Sequence, residues 1–248
     1  MRTSIYNKDF YTNRSGAMKS AQIIVPLIID FLKPKSVVDV GCGTADFLKV
    51  FIENGVEDIL GLDGSWMDNK AIVIPKSSFK KIDLKESIQL NRTFDLAMSL
   101  EVAEHLPKEY AQRFIDDLSK LSPVILFSAA IPLQGGTHHI NEQWQDYWKN
   151  LFAKRNFVAI DWLRPQIWNN EEVSIWYAQN TLLYVRQDYL DQNNDIFKSV
   201  QLTKEQCITI VHPKLYLKKA KFHQLITGAI PKSIKCIALK ILRIFKNG

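Results

Sequence analysis

Residues 37–51 read Val37-Val-Asp-Val-Gly-Cys-Gly-Thr-Ala-Asp-Phe-Leu-Lys-Val-Phe51, and the reading of the whole chain starts here. The β-favouring run that leads into Asp39 reads as a buried strand. Gly41 and Gly43 supply a tight turn, and Ala45 to Phe51 carries the apolar spacing of a helix. In such a strand–turn–helix unit the glycines let a ligand approach bare backbone, and the first N–H groups of the helix point at it. A nucleotide-like cofactor is the expected ligand.

The dinucleotide fingerprint G-x-G-x-x-G is the rival assignment, but its sixth position is Asp46 here. A carboxylate beside the cradle opposes a diphosphate and suits a cation, which weakens the NAD reading. The order Asp39-x-Gly41-x-Gly43 resembles motif I of class I S-adenosylmethionine (SAM) dependent methyltransferases. Ala45 stands where that family most often has its third glycine. The resemblance implies an α/β fold, a Rossmann-like seven-stranded sheet with helices on both faces, and SAM in a cradle formed by Asp39, Gly41, Cys42 and Gly43.

The chain has 248 residues, enough for one α/β domain with additions. With 46% hydrophobic and 23% charged residues it has globular composition, which excludes a disordered chain. No apolar run has the length of a membrane span, and the first ten residues lack a signal-peptide core, so a cytoplasmic protein is expected. Cys42, Cys207 and Cys236 are widely spaced and form no C-x-x-C, which points to reduced thiols rather than a disulfide framework or zinc ribbon. The net charge of +6 is uneven: after Glu205 no acidic residue follows, whereas nine lysines and arginines do. The high pI therefore belongs to the tail, and the body before it is slightly acidic.

Ahead of the organising motif, Ser20 to Leu32 has helical spacing interrupted by Pro26, which predicts a kinked helix or one starting near the proline, closed by Pro34. In methyltransferases a helix in this place often covers the cofactor, and the resemblance puts Arg14 and Ser15 within reach of a carboxylate or substrate. Beyond the motif, Ile59 to Asp63 reads as a second strand ending in an acid, followed by Gly64. An acid about 20 residues after the glycine turn is placed to hold a ribose hydroxyl pair. Phe79 to Leu84 reads as a third strand ending in Asp83, where the methyltransferase family often contacts the adenine amino group; Leu84 and Leu100 join the expected cofactor set.

Phe94 to Leu100 reads as a fourth buried strand, and Lys108 to Leu121 after Pro107 as an amphipathic helix. Between them Glu101, Glu104 and His105 stand at i, i+3 and i+4, one face of a helical turn. Two carboxylates and an imidazole at a sheet edge repel unless a cation lies among them. The same residues also suit a helix N-terminus with a packed histidine, and spacing alone ranks that reading first; the segment that follows changes the order. Val124 to Ile131 then reads as a fifth strand, followed by a loop with Gly135, Gly136, His138, His139 and Asn141. In an open sheet the loops after strands four and five leave the same edge, so these histidines face the E-x-x-E-H cluster. That cluster resembles the motif of small-RNA 2′-O-methyltransferases and ubiquinone-biosynthetic O-methyltransferases. The resemblance implies a divalent metal, Mg or Mn ahead of Zn or Co, held by Glu101, Glu104, His105 and a later histidine; the choice between His138 and His139 stays open, with His139 entered as the ligand. His138, His139 and His105 form the expected catalytic set.

Asn141 to Asn156 reads as an aromatic-rich helix, Phe157 to Asp161 as strand six, and Thr181 to Val185 as an antiparallel strand seven. Trp162, Trp168, Trp176 and Tyr177 lie between, as core or as a stacking face for sugars and flat rings. The expected domain spans residues 1–186, with 1–33 as an N-terminal cap. A linker is expected from 187, opening a basic C-terminal helical extension over 187–248. Within it, Ile234, Ile237, Ala238, Ile241, Leu242 and Phe245 share one face of an amphipathic helix over 232–246, suited to peripheral contact with a membrane surface.

Together these readings describe a SAM-dependent O-methyltransferase, metal-assisted, acting on a hydroxyl of a sugar, glycan or other small diol. RNA ribose 2′-O-methylation is the alternative among enzymes, although nucleic acid is a less favoured partner because no arginine-rich pattern accompanies the tail. A catalytically silent, membrane-associated binding module is the alternative outside them.

Overall fold

The computed structural model describes residues 15–68, 70–198, 200 and 208–229. Arg14, Cys207, Cys236 and the amphipathic helix expected over 232–246 lie outside these, as does the side chain of Ser15. The first half of the fold comprises helix α1 (Ser15–Leu32), strand β1 (Ser36–Val40), α2 (Asp46–Glu53), β2 (Asp58–Asp63), β3 (Phe79–Lys81) and β4 (Leu96–Leu100). There follow α3 (Ala111–Leu121), β5 (Val124–Ser128), α4 (Gln145–Ala153), β6 (Phe157–Ile160), α5 (Arg164–Ile167) and α6 (Ile175–Asn180). Strand β7 (Leu182–Arg186), α7 (Gln187–Gln192), α8 (Asn194–Phe197) and α9 (Pro213–Ala229) complete it.

The seven strands form one sheet in the order β3-β2-β1-β4-β5-β7-β6. β1 is parallel to β2 and β4, β4 is parallel to β5, and β7 runs antiparallel to both β5 and β6. This is the α/β sheet expected. The chain leaves β1 toward one edge and returns through β4 toward the other, so a crevice opens at the carboxyl ends of these two strands.

Alternation along the strands divides the core in two. Val37, Leu96, Met98, Leu126, Leu183 and Val185 pack with α1, α2 and α6, while Val38, Val40, Ala97, Ile125, Phe127 and Tyr184 pack with α3 and α4. Side chains of period two on a sheet covered on both faces give this pattern. In α1, Ala21, Ile24, Val25 and Ile28 are fully buried at the i, i+3, i+4, i+7 spacing that puts one stripe on the sheet. Of the two expectations at Pro26, a helix starting near the proline is not what forms: the helix runs from Ser15 through the proline to Leu32. Burial of its stripe outweighs the backbone bond that the proline forfeits.

Several predicted elements are shorter or displaced. β3 ends at Lys81, so Asp83 lies two residues beyond it in a turn, its carboxylate accepting the Lys85 N–H at 2.9 Å. The helix read from Lys108 begins as a 3-10 turn, Lys108–Tyr110, before α3, and the aromatic-rich helix narrows to Gln145–Ala153. The linker expected from residue 187 is instead α7 and α8, whose Leu190 and Phe197 are buried in the same core as α1. Asp and Asn density there reads as a linker, but two apolar side chains seven residues apart suffice to dock the helices.

The chain divides into two compact units at Ile210 and Val211. In the first, the stretch 208–210 is tied down by Arg164, whose Nη1 donates to Ile208 O at 2.7 Å, and by Gln145, whose Nε2 donates to Ile210 O at 3.1 Å. Arg164 is itself buried, its guanidinium forked onto Asp161 at 2.8 and 2.7 Å. The second unit contributes α9, which presents Lys214, Tyr216, Leu217, Lys218 and Lys219 to solvent. Among the described residues no helix is long and apolar enough to cross a membrane.

Candidate functional site

The crevice at the ends of β1 and β4 is lined by Asp39, Gly41, Cys42 and Gly43 from the turn, Asp46 and Phe47 from α2, Leu100 and Glu101 from β4, Ala17 from α1 and Tyr177 from α6. Gly41 has φ 81°, and a Cβ built there would stand 2.4 Å from Val102 Cγ2. Only glycine fits. Ala45 holds φ 68° although it carries a methyl group, and it is fully buried. The left-handed backbone costs it about 1 kcal/mol, which burial of the methyl roughly offsets. An alanine therefore serves where the resemblance expected a third glycine.

Asp39 is buried on the crevice floor, and its Oδ1 has no hydrogen-bond partner. Burial first, and then the neighbouring Asp63 and Asp46 carboxylates, push its pKa up to about 8. The folded protein thus holds a proton that the unfolded chain releases near pH 4. Stability from this group is complete below pH 4 and is lost as pH rises to 8, with a slope up to about 1.4 kcal/mol per pH unit. Asp39→Asn is expected to remove that slope and make the unliganded protein more stable at pH 8 than the parent, as urea unfolding at pH 5 and pH 8 will report.

Asp63 is turned onto the turn itself. Its Oδ2 accepts the Gly43 N–H and its Oδ1 the Gly64 N–H, both at 2.6 Å. The carboxylate braces the glycine turn from the neighbouring strand, and Asp63 is not among the crevice-lining residues. The Trp66 ring covers the Gly64 α-carbon, so that a Cβ there would lie 2.1 Å from the indole. Asp83 borders a separate shallow recess with Ser65, Trp66, Lys81 and Ile82. Leu84 is buried in the core with Val38 and Leu62. The structure thus gathers Asp39, Gly41, Cys42, Gly43 and Leu100 at the crevice and sets Asp63, Gly64, Asp83 and Leu84 apart from its walls.

A second cluster adjoins the crevice. Glu104, His105 and His139 each offer a ligand atom within 4.8 Å of the others. Glu104 is fully buried and neither of its oxygens has a hydrogen-bond partner; the N–H groups of Glu104 and Ala130 lie near enough to favour the anion without bonding geometry. Burial, reinforced by the charge of Glu101, raises its pKa well above the usual range. His139 Nε2 faces Glu104 Oε1 at 4.0 Å, and His139 Nδ1 donates to Glu142 Oε1 at 3.0 Å. His105 Nδ1 meets the His138 carbonyl at 3.3 Å, and the His105 and His139 imidazoles stand edge to face, 4.9 Å between centroids. Burial, and then His139, lower the His105 pKa to about 4, so that ring is neutral. In both rings Nδ1 faces an acceptor, the geometry that places a proton on Nδ1 and turns Nε2 toward the cluster.

The expected helical face of Glu101, Glu104 and His105 does not form. Glu101 has φ 57°, a left-handed step that ends β4, and only a short 3-10 turn, Ala103–His105, follows. The Glu101 carboxylate accepts from Gln134 Nε2 at 2.9 Å and Asn180 Nδ2 at 3.0 Å, outside the group of three. It stands between the two features, lining the crevice while its charge acts on Glu104. Of the paired histidines, His139 enters the cluster, whereas the His138 side chain is exposed and only its carbonyl reaches His105. Nothing in the sequence marks Ala17, Phe47, Gln134, Asn180 or Glu142, because contacts made across loops and between elements have no periodicity.

The donor set of Glu104, His105 and His139 matches the needs of a divalent cation. A buried carboxylate with two bare oxygens beside two bare imidazole nitrogens is costly alone and fits such an ion. A cationic organic ligand suits the adjoining crevice, whose floor and rim carry Asp39, Asp46 and Glu101.

The model of a family described as a methyltransferase domain matches residues 19–161, more than half of the chain. No curated protein matches. Among solved structures, the sugar N-methyltransferase KedS8 from Streptoalloteichus sp. ATCC 53650 is 13% identical with TM-score 0.55, covering 75% of this chain and 97% of its own. The magnesium protoporphyrin IX methyltransferase from Synechocystis PCC 6803 with bound SAH is 18% identical with TM-score 0.50, covering 75% and 90%. The methyltransferase domain of bacterial CtHen1 is 17% identical with TM-score 0.50, covering 68% and 97%. At these identities the likeness is one of fold.

Proposed function

Since the chain belongs to the methyltransferase-domain family and is a SAM-dependent methyltransferase, we propose that it methylates a hydroxyl oxygen of a sugar or other small diol with help from a divalent cation. The observation that carries this proposal is the buried Glu104 carboxylate, bare on both oxygens and facing His139 Nε2 at 4.0 Å.

When bound, SAM supplies a methyl carbon on a positive sulfonium, and a divalent ion supplies Lewis acidity toward an acceptor hydroxyl. The proposed division of labour among the chain's own residues is as follows. Gly41 and Gly43 let the cofactor approach the backbone; Asp46 sets negative charge along the crevice, and the positive charge of the cofactor would draw the raised pKa values of Asp39 and Glu101 back down so that they ionise against it. Tyr177, in edge contact with Phe47 at 5.4 Å, walls the crevice and excludes water. Glu104, His105 and His139 would hold the cation. Two imidazoles with one carboxylate favour Mn over Mg, with Zn and Co also compatible. His138, exposed and outside the cluster, is the proposed acceptor of the hydroxyl proton.

A sugar or diol acceptor is supported by the adjacency of cluster and crevice and by the exposed Trp144 and Trp176 rings on the flanking segments. The test is transfer of labelled methyl from SAM to a panel of vicinal-diol sugars, simple alcohols and amines, with and without EDTA. Transfer to diols that EDTA abolishes and Mn²⁺ restores is expected. Transfer indifferent to EDTA, or confined to amines, would overturn the proposal.

A further inference from the structure

Between β5 and α4 the chain makes a sixteen-residue excursion, residues 129–144, that contains His139, and one side chain holds it in shape. Glu142 Oε1 accepts the Gly135 N–H at 2.8 Å and the His139 Nδ1–H at 3.0 Å, while Oε2 accepts the Leu133 N–H at 2.7 Å. Two of the residues it secures or flanks, Leu133 at φ 68° and His138 at φ 60°, are in the left-handed region. Such backbone persists only where surrounding bonds fix it. Ile140 N and Asn141 N both donate to Glu104 O, at 2.9 and 3.0 Å, so the segment just before Glu142 is stitched to the other donor of the cluster.

We propose that Glu142 is the positioning residue of the cluster: by taking the Nδ1 proton of His139 it fixes the tautomer and aims Nε2 at Glu104. This rests on the metal-assisted reading above. The chemistry is general, since an imidazole whose Nδ1–H is held by a carboxylate has one tautomer, one ring orientation and a more basic Nε2, and loss of such a partner weakens metal binding about 10–100-fold. Glu142 would touch neither the ion nor the acceptor. Both of its oxygens are already occupied by chain donors, as a positioning role requires.

Two readouts on the full chain with saturating SAM test this: Mn²⁺ affinity by calorimetry, and the His139 tautomer from ¹⁵N chemical shifts of metal-free protein. In the parent, His139 is expected as the Nδ1–H tautomer. Glu142→Ala is expected to mix the tautomers and weaken Mn²⁺ about 10–100-fold with SAM affinity unchanged. Glu142→Gln keeps an acceptor oxygen for His139 and is expected to rescue the tautomer and much of the affinity. An unchanged tautomer in Glu142→Ala, or Mn²⁺ affinity equal to the parent's, would overturn the inference. If the parent itself takes up no Mn²⁺ while the tautomer still depends on Glu142, the metal reading fails and the positioning of His139 stands.

Discussion

Gly41→Ala is expected to abolish SAM binding. The substitution asks an alanine to adopt φ 81° and to place its Cβ 2.4 and 2.7 Å from the two Val102 methyl groups. The left-handed backbone costs about 1–2 kcal/mol and the overpacking about 1–3 more. Val102 is packed at the foot of the loop that leads to Glu104, so it has little room to retreat. The turn is expected to yield instead, and the Gly43 N–H now held by Asp63 moves with it. Calorimetry with SAM and a thermal melt check this together: binding lost, with Tm lowered by several degrees. Binding at the parent's affinity would mean that the turn does not form the cofactor's contact surface.

Glu104→Gln is expected to separate stability from function. In the folded protein the carboxylate is buried without a hydrogen-bond partner, so its pKa is raised. A raised carboxylate pKa means that stability is lost as pH climbs above the unfolded value near 4.5, because the folded state resists ionisation. A neutral amide of the same shape removes that loss. The variant is therefore expected to be at least as stable as the parent at pH 8 without metal, and to lose metal uptake by more than the about 100-fold seen when only an outer partner is removed. Most core substitutions destabilise, which makes a stable but metal-blind variant diagnostic.

Much of this was legible in the sequence, for reasons that name particular residues. The sheet could be read because parallel strands buried on both faces are near-continuous apolar runs, as in Val124 to Phe127 and in Val37 to Val40, interrupted only by Asp39. The crevice could be read because Gly41 and Gly43 do work that few other residues can do. What could not be read depended on single dihedrals and on long-range bonds. The left-handed step at Glu101 broke the helical spacing that grouped it with Glu104 and His105. Asp83 overshot its strand by two residues and closed a local turn. Leu190 and Phe197 docked a stretch whose Asp and Asn content resembled a linker. Gln134, Asn180 and Glu142 bind partners across loops, and no periodic pattern marks such residues before the chain is folded.

The central claim is that a SAM-dependent methyltransferase here holds a divalent cation through Glu104, His105 and His139. Calorimetric titration of the parent and of Glu104→Gln with SAM, followed by Mn²⁺ in the presence of SAM, tests it most directly. Both proteins are expected to bind SAM alike, and only the parent to take up one equivalent of Mn²⁺. Equal Mn²⁺ uptake by the two, or none by the parent, would contradict it.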